Sequence, residues 1–227
     1  MSYFENVNPD LLAEVKSDAK RICEFGCGAG ALARAIKSIN PSVHYVGVEI
    51  AEDPLLKAKD VLDVAIQRNL DLIPSWRKDR EMSGALHEAS FDHVIFGDVL
   101  EHLYDPESAV QQAVEILSEN GTLLACIPNV QHWSVFTQLV IGSWPRVDAG
   151  IFDRTHIRWF TLHDMVNLMQ KSGLVVEKIV PRIFQQEQGI EIMEYLEPLA
   201  IYLGVDSDSF LRQGLPLQYI LVAKRIA

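Results

Sequence analysis

Asp98, Glu101 and His102 stand at i, i+3 and i+4 directly after the apolar run of residues 91–97. If that turn is helical, the three side chains share one side of it. Carboxylates beside an imidazole are suited to taking a proton from a bound hydroxyl. His156 lies in the later run Gly150-Ile-Phe-Asp-Arg-Thr-His-Ile-Arg-Trp-Phe-Thr161 and could approach the same point from above. The plainer reading is that Glu101 and His102 cap a helix and bond to loop backbone. A second cluster is made of backbone. Residues 21–32 read RICEFGCGAGAL, with Gly26, Gly28 and Gly30 alternating before a helix-forming stretch. A buried strand ending in such a turn offers bare N–H groups and a helix N-terminus to a nucleotide-like ligand. A third cluster is basic. Arg146, Arg154, His156 and Arg158, set among Trp133, Trp144, Phe152 and Trp159, could grip a phosphate while rings stack on a ligand. Alternatively, Arg154 and Arg158 pair with Asp148 and Asp153, and the rings cover the core.

The elements that must hold these groups follow from periodicity and turn residues. Residues 8–20 open on Asn8-Pro9-Asp10 and carry Leu11, Leu12 and Val15 at helical spacing, a short lid helix that Tyr3 and Phe4 could help to close. The first strand spans 21–26 and its helix about 30–38, stopped by Asn40-Pro41. Residues 43–50 alternate as a second strand with Glu49 at its tip. Asp53-Pro54 is expected to open a long helix to about residue 69. A third strand is placed within 70–90, beside Trp76 and the charged run 77–81, which reads as a solvated loop with one anchoring ring. Strand four is 91–97, followed by a helix from Asp105-Pro106 to about 118 and a turn at Glu119-Asn120-Gly121. Strands at 122–127, 174–180 and 217–225 and a helix at 160–172 complete the pattern. Strands alternating with helices predict a Rossmann-like α/β fold, mostly parallel with helices on both faces. One domain, 1–227, is expected, with cap insertions at about 131–159 and 183–214; the apolar stretch 190–203 would be a lid or a homodimer contact.

Composition narrows the class. At 227 residues, 48% hydrophobic, the chain can bury a sizeable core. A net charge of -11 disfavours nucleic acid as a general partner. Cys23, Cys27 and Cys126 give no disulfide framework or metal spacing and read as small reduced thiols. With no secretory start and no membrane-length apolar run, a cytoplasmic protein without a membrane span is expected.

In such sheets the ligand lies across the carboxyl ends of the strands. Glu49 stands about where an acid would grip two ribose hydroxyls, which suits NAD(P) or S-adenosylmethionine. Gly26-x-Gly28-x-x-Ala31 also satisfies the dinucleotide fingerprint, so an NAD(P)-dependent oxidoreductase is the alternative enzyme. Three features favour the methyl donor: Glu24 two residues before the first glycine, the strict alternation through Gly30, and the acid and histidine cluster closing strand four.

Glu24-Phe-Gly26-Cys-Gly28-Ala-Gly30, Val46-Gly-Val-Glu49, the run 91–103 and Leu117-Ser-Glu-Asn-Gly-Thr-Leu together resemble class I S-adenosylmethionine-dependent methyltransferases. The run 150–161 is similar to a bacterial branch often found beside sugar and polysaccharide-tailoring enzymes. The resemblance implies seven strands, with an antiparallel last strand inserted between its neighbours. It also implies that Gly26, Cys27, Gly28 and Gly30 face the methionine portion, with Glu24 in the same motif. Glu49 would hold the ribose, Ile50 the adenine, and Asp98 and Val99 the floor near the sulfonium. The acid that the family often places after strand three, for the adenine amine, has Asp71 and Asp79 as candidates.

Methyl transfer from a sulfonium is an in-line displacement, and a hydroxyl acceptor must also lose its proton. His102 or His156 could be the base, with Glu101 beside them. Small-RNA 2′-O-methyltransferases and the ubiquinone-pathway O-methyltransferase carry a similar acid-x-x-Glu-His cluster. That likeness implies a divalent metal on Asp98, Glu101, His102 and His156, the less favoured reading because Asp98 is a shorter arm than their glutamate. In the third reading Asp98 serves the donor amine. The expected function is S-adenosylmethionine-dependent O-methylation of a small hydroxylated metabolite, sugar or sugar nucleotide, anionic or phosphorylated acceptors included. A non-catalytic S-adenosylmethionine-binding protein is the remaining alternative.

Overall fold

The computed structural model describes residues 6–86 and 91–226, so Tyr3 and Phe4 lie outside the described residues. Its strands are short apolar runs whose successive residues face opposite ways. In β1 (Arg21–Phe25), Ile22 joins one apolar layer and Cys23 and Phe25 the other. β4 (Phe91–Gly97) splits in the same way, Ile95 against Val94 and Phe96, and β5 (Leu117–Pro128) sets Leu124 against Leu123 and Ala125. A strand apolar on both faces needs cover on both. α1 (Pro9–Ala13), α2 (Ala31–Ile39) and α3 (Glu52–Ala58) supply Leu11, Leu32, Ile36 and Leu55 on one side. On the other, α4 (Arg80–Leu86), α5 (Pro106–Ile116) and α7 (Leu162–Lys171) supply Met82, Val110 and Met165, α6 (Trp133–Val140) lying between the last two in sequence.

With β2 (His44–Glu49), β3 (Val64–Gln67), β6 (Leu174–Ile183) and β7 (Pro216–Arg225), the sheet has seven strands in the order β3-β2-β1-β4-β5-β7-β6. β1 to β5 are mutually parallel, and β7 runs antiparallel to both β5 and β6. This is the expected sheet, antiparallel last strand included. From β1 the chain winds one way to β2 and β3 and then the other way to β4 and β5. The crevice of a doubly wound sheet opens at that reversal, at the carboxyl ends of β1 and β4.

Strand three is where the sequence misleads. The helix expected from Asp53 to about residue 69 stops at Ala58, and β3 begins at Val64, pairing Val46 with Val64. Asp63 fixes that edge: its carboxylate accepts the Tyr45 N–H at 2.7 Å and the Lys37 ammonium at 2.7 Å. Residues expected to contain the strand instead form a 3-10 turn, Leu70–Leu72, and α4. Trp76 is an anchoring ring, buried against Phe25 with centroids 4.5 Å apart. β5 starts earlier than expected, because its ladder skips from Phe91↔Leu117 to His93↔Thr122 and bulges at the Glu119-Asn120-Gly121 turn.

The second expected cap, residues 183–214, forms α8 (Gln186–Tyr202) and α9 (Ser207–Gly214). These pack on each other and on α6, where Phe136 meets Phe210 at 6.2 Å, and leave Tyr195, Leu199, Tyr202 and Leu203 exposed. The three cysteines are free and buried. Among the described residues no helix is long and apolar enough to cross a membrane.

Candidate active site

A cavity of about 900 Å³ opens at the switch point. Glu24, Gly26, Cys27, Gly28, Glu49, Ile50, Asp98 and Val99 all line it. Gly26 has φ +72°, and a Cβ there would meet Val99 Cγ2 at 2.4 Å, so the turn must be bare at this point. Gly30 does other work: it caps α2 with φ 74°, and a Cβ there would strike Val61 of the neighbouring loop rather than the cavity. The turn is tied to β2 by Glu49, whose Oε2 accepts from Gly28 N at 2.9 Å while Oε1 accepts from Ile50 N and Ala51 N at 2.9 Å. Each carboxylate oxygen keeps further lone-pair capacity for ligand hydroxyls. Glu24 is buried and accepts from the Tyr45 hydroxyl at 2.8 Å. Burial raises its pKa to about 7, the Tyr45 hydrogen bond pulling down and Glu49 pushing further up.

At the far side, the 3-10 turn Leu100–His102 follows β4 and brings its acid and imidazole towards His156. One ligand atom from each of Glu101, His102 and His156 lies within 4.8 Å of the others. His156 Nδ1 sits 3.2 Å from the Ile151 carbonyl, which makes it the protonated nitrogen and leaves Nε2 facing Glu101 Oε1 at 3.8 Å. That gap is too long for a hydrogen bond. Both Glu101 carboxylate oxygens are buried without a hydrogen-bond partner among the described residues, in a residue only 1% exposed. Burial, with Asp98 adding to it, holds the Glu101 carboxyl well above the usual range, while burial pushes the His156 imidazole down. His102 Nδ1 lies 3.2 Å from the Thr155 carbonyl, so its Nε2 is the free nitrogen. Asp98 does not join the trio: its carboxylate accepts from Gln218 Nε2.

The arginines of the basic cluster bond to protein groups, and Arg154 also lines the cavity. Arg154 pairs with Asp148 at 2.6 Å, Arg146 donates to the Arg154 carbonyl at 2.5 Å, and Arg158 donates to the Tyr104 carbonyl at 2.6 Å. Trp144 packs edge-on against Phe152 at 5.3 Å and Trp159 at 5.7 Å, so these rings stack on one another. Asp71 lines the cavity, whereas Asp79 caps α4 and pairs with Arg68 at 3.0 Å. Reading the sequence missed Arg68 and Asn69, which follow the misplaced β3, and Arg182 and Gln218, which line the cavity from β6 and β7.

A bare glycine turn and an acid-tipped neighbouring strand at the switch point of this sheet are the features of a nucleotide-binding α/β fold. Residues 3–179 match the model of the family described as "Methyltransferase domain", and the chain belongs to that family. Membership of that family favours the methyltransferase reading over the nicotinamide-dependent alternative. Among curated proteins the chain is 29% identical over 177 residues to the ubiquinone biosynthesis O-methyltransferase of Hydrogenovibrio crunogenus, covering 76% of this chain and 70% of that one. It is 26% identical over 125 residues to the enzyme of the same name from a Shewanella species, covering 55% of this chain and 50% of that one. The match therefore spans about half the length of the Shewanella relative. The fold is similar to a solved S-adenosylmethionine-dependent methyltransferase from Mesorhizobium loti, with TM-score 0.59, 17% identity and 96% of each chain covered.

Proposed function

We propose that this domain transfers the sulfonium methyl of S-adenosylmethionine to a hydroxyl oxygen of a small acceptor. The acceptor oxygen attacks the methyl carbon, the carbon–sulfur bond breaks, and S-adenosylhomocysteine leaves. The hydroxyl proton passes to Nε2 of His102, with His156 and Glu101 packed behind it. The observation that carries this reading is the convergence of Glu101, His102 and His156 at the edge of the donor cavity. On the donor side, the turn at Gly26, Cys27 and Gly28 would face the methionine portion and Glu49 the ribose. Ile50 would lie on the adenine, and Asp98 and Val99 under the sulfonium. The likeness to O-methyltransferases supports oxygen as the atom methylated. The likeness of residues 150–161 to sugar-tailoring enzymes keeps sugars and sugar nucleotides among the acceptors.

One observation favours a second reading. Glu101 presents two buried, unpartnered carboxylate oxygens, and both imidazoles are held by loop carbonyls through Nδ1 in the way metal-binding histidines often are. A divalent cation on Glu101, His102 and His156 would hold a diol-like acceptor and lower its pKa. The test is formation of S-adenosylhomocysteine with phenolic, sugar and sugar-nucleotide acceptors, with and without a chelator. Under the base reading turnover survives chelation, and Glu101→Gln, a mimic of the protonated acid, keeps most of it. Loss in both arms selects the metal. Full turnover in both His102→Ala and His156→Ala would remove both roles.

A further inference from the structure

We propose that Arg182 is a positioning residue for the methyl donor, acting through Gln218 on the carboxylate of Asp98. Arg182 and Gln218 are register partners on β6 and β7, so their side chains share a face of the sheet, and both line the cavity. Both lie beyond residue 179, outside the stretch that the family model matches. A glutamine amide can point either way. Here Arg182 Nη1 donates to Gln218 Oε1, and a guanidinium has only donors to offer. The amide oxygen must therefore face Arg182, which turns the NH2 group towards Asp98, whose Oδ1 accepts it. Arg182 is itself fixed from the other side, its Nε donating to Asp10 Oδ2 of α1 at 2.9 Å. Every link in Asp10–Arg182–Gln218–Asp98 pairs a donor with an acceptor.

The backbone at the end of this chain is set as well. Asp98 has φ 55°, in the left-handed region that non-glycine residues rarely adopt, and its N–H donates to the Cys126 carbonyl at 3.1 Å. The groups facing its carboxylate are Arg182 from β6, Gln218 from β7, Cys126 from β5, and His102 and Glu101 from the turn after β4. Burial pushes the Asp98 carboxyl up, and Arg182 is the permanent cation that pulls it back towards ionisation. A donor carrying an ammonium and a sulfonium needs that charge ionised and aimed at the cavity.

The inference rests on the donor reading in one respect, that Asp98 faces the cationic end of S-adenosylmethionine. Calorimetry with two ligands tests it: S-adenosylmethionine, and methylthioadenosine, which lacks the amino-acid portion and the positive sulfur. Arg182→Met and Gln218→Met should each weaken S-adenosylmethionine by about tenfold while methylthioadenosine stays within about twofold. In an Asp98→Asn background Arg182→Met should add little, since both act through one carboxylate. Arg182→Lys should recover only part of the loss, because a single ammonium cannot fork between Asp10 and Gln218. Should Arg182→Met melt early, Asp10→Asn cuts the outermost bond and should weaken S-adenosylmethionine alone by about twofold to threefold. Unchanged S-adenosylmethionine affinity in the Arg182 and Gln218 variants, or equal weakening of both ligands, overturns the inference. Unchanged affinity in Asp98→Asn overturns it together with the placement of Asp98. A wild-type protein that binds methylthioadenosine and S-adenosylmethionine with equal affinity would do the same, whereas one that binds neither would bring down the donor reading itself.

Discussion

The two ends of the cavity are built from different materials. The donor end is mostly backbone: a bare turn after β1, the tip of β2 folded back on it through Glu49, and the end of β4. The other end is mostly side chains, drawn from the turn after β4 and from loop residues 151–156, some fifty residues later in the chain. The glycine turn is held by main-chain bonds and by Glu49: Gly26 N and Cys27 N donate to the Val48 carbonyl, and Gly28 N donates to Glu49 Oε2. The two imidazoles at the other end are aimed by loop carbonyls through Nδ1, while the Glu101 carboxylate has no hydrogen-bond partner among the described residues. One end is thus fixed by the main chain and the other by side-chain packing.

If that division is real, the two ends should fail separately. The largest effect is expected from His102→Ala, which should lower kcat by about 10²–10⁴-fold while donor affinity stays within about twofold by calorimetry. A matching loss of donor affinity would merge the two ends into one unit.

Acid should act on the sheet beneath the donor end. His93 is fully buried in β4, accepting from Lys16 N at 3.0 Å and bonded to Thr122 Oγ1 at 2.6 Å, and burial lowers its pKa from 6.5 to about 4. Between those values the unfolded chain holds a proton that the folded protein does not. The contribution is thus full above pH 6.5 and is lost as pH falls towards 4. It amounts to about 3 kcal/mol. Denaturant melts from pH 7 to 4 should show the loss, and His93→Gln should flatten it; a slope unchanged by that substitution would assign the acid sensitivity elsewhere, His132 being the next buried imidazole with a pKa near 4.

Gly26→Ala should act on the donor end alone. The new methyl would lie 2.4 Å from Val99 Cγ2 at a positive φ, and the strain, about 1–3 kcal/mol, should weaken the donor by about 5-fold to 150-fold. Turnover at saturating donor should fall far less. The smallest effect belongs to Arg154→Ala. Its ion pair with Asp148 is exposed on both sides, and such pairs contribute under about 1 kcal/mol. Melting and acceptor KM should barely move. A large rise in KM, with a phosphorylated acceptor only, would restore Arg154 to a binding role.

Sequence by itself determined what is local. The glycine turn, Glu49 at a strand tip, the Asp98-x-x-Glu101-His102 spacing and the helix starts Asn8-Pro9 and Asp105-Pro106 were legible because each depends on neighbours within a few residues. β3 was not, since Val64–Gln67 is four residues long with no glycine or proline between Pro54 and its start, and Asp53-Pro54 is a strong signal for a helix that stops early. Nor could spacing say which partners the arginines of 146–158 take up. Only the tertiary structure decided those partners, together with the meeting of His156 with Glu101 and of Arg182 with Gln218. Those contacts join residues tens of positions apart, whose distance is set by strand register and crossover connections and not by any periodicity along the chain.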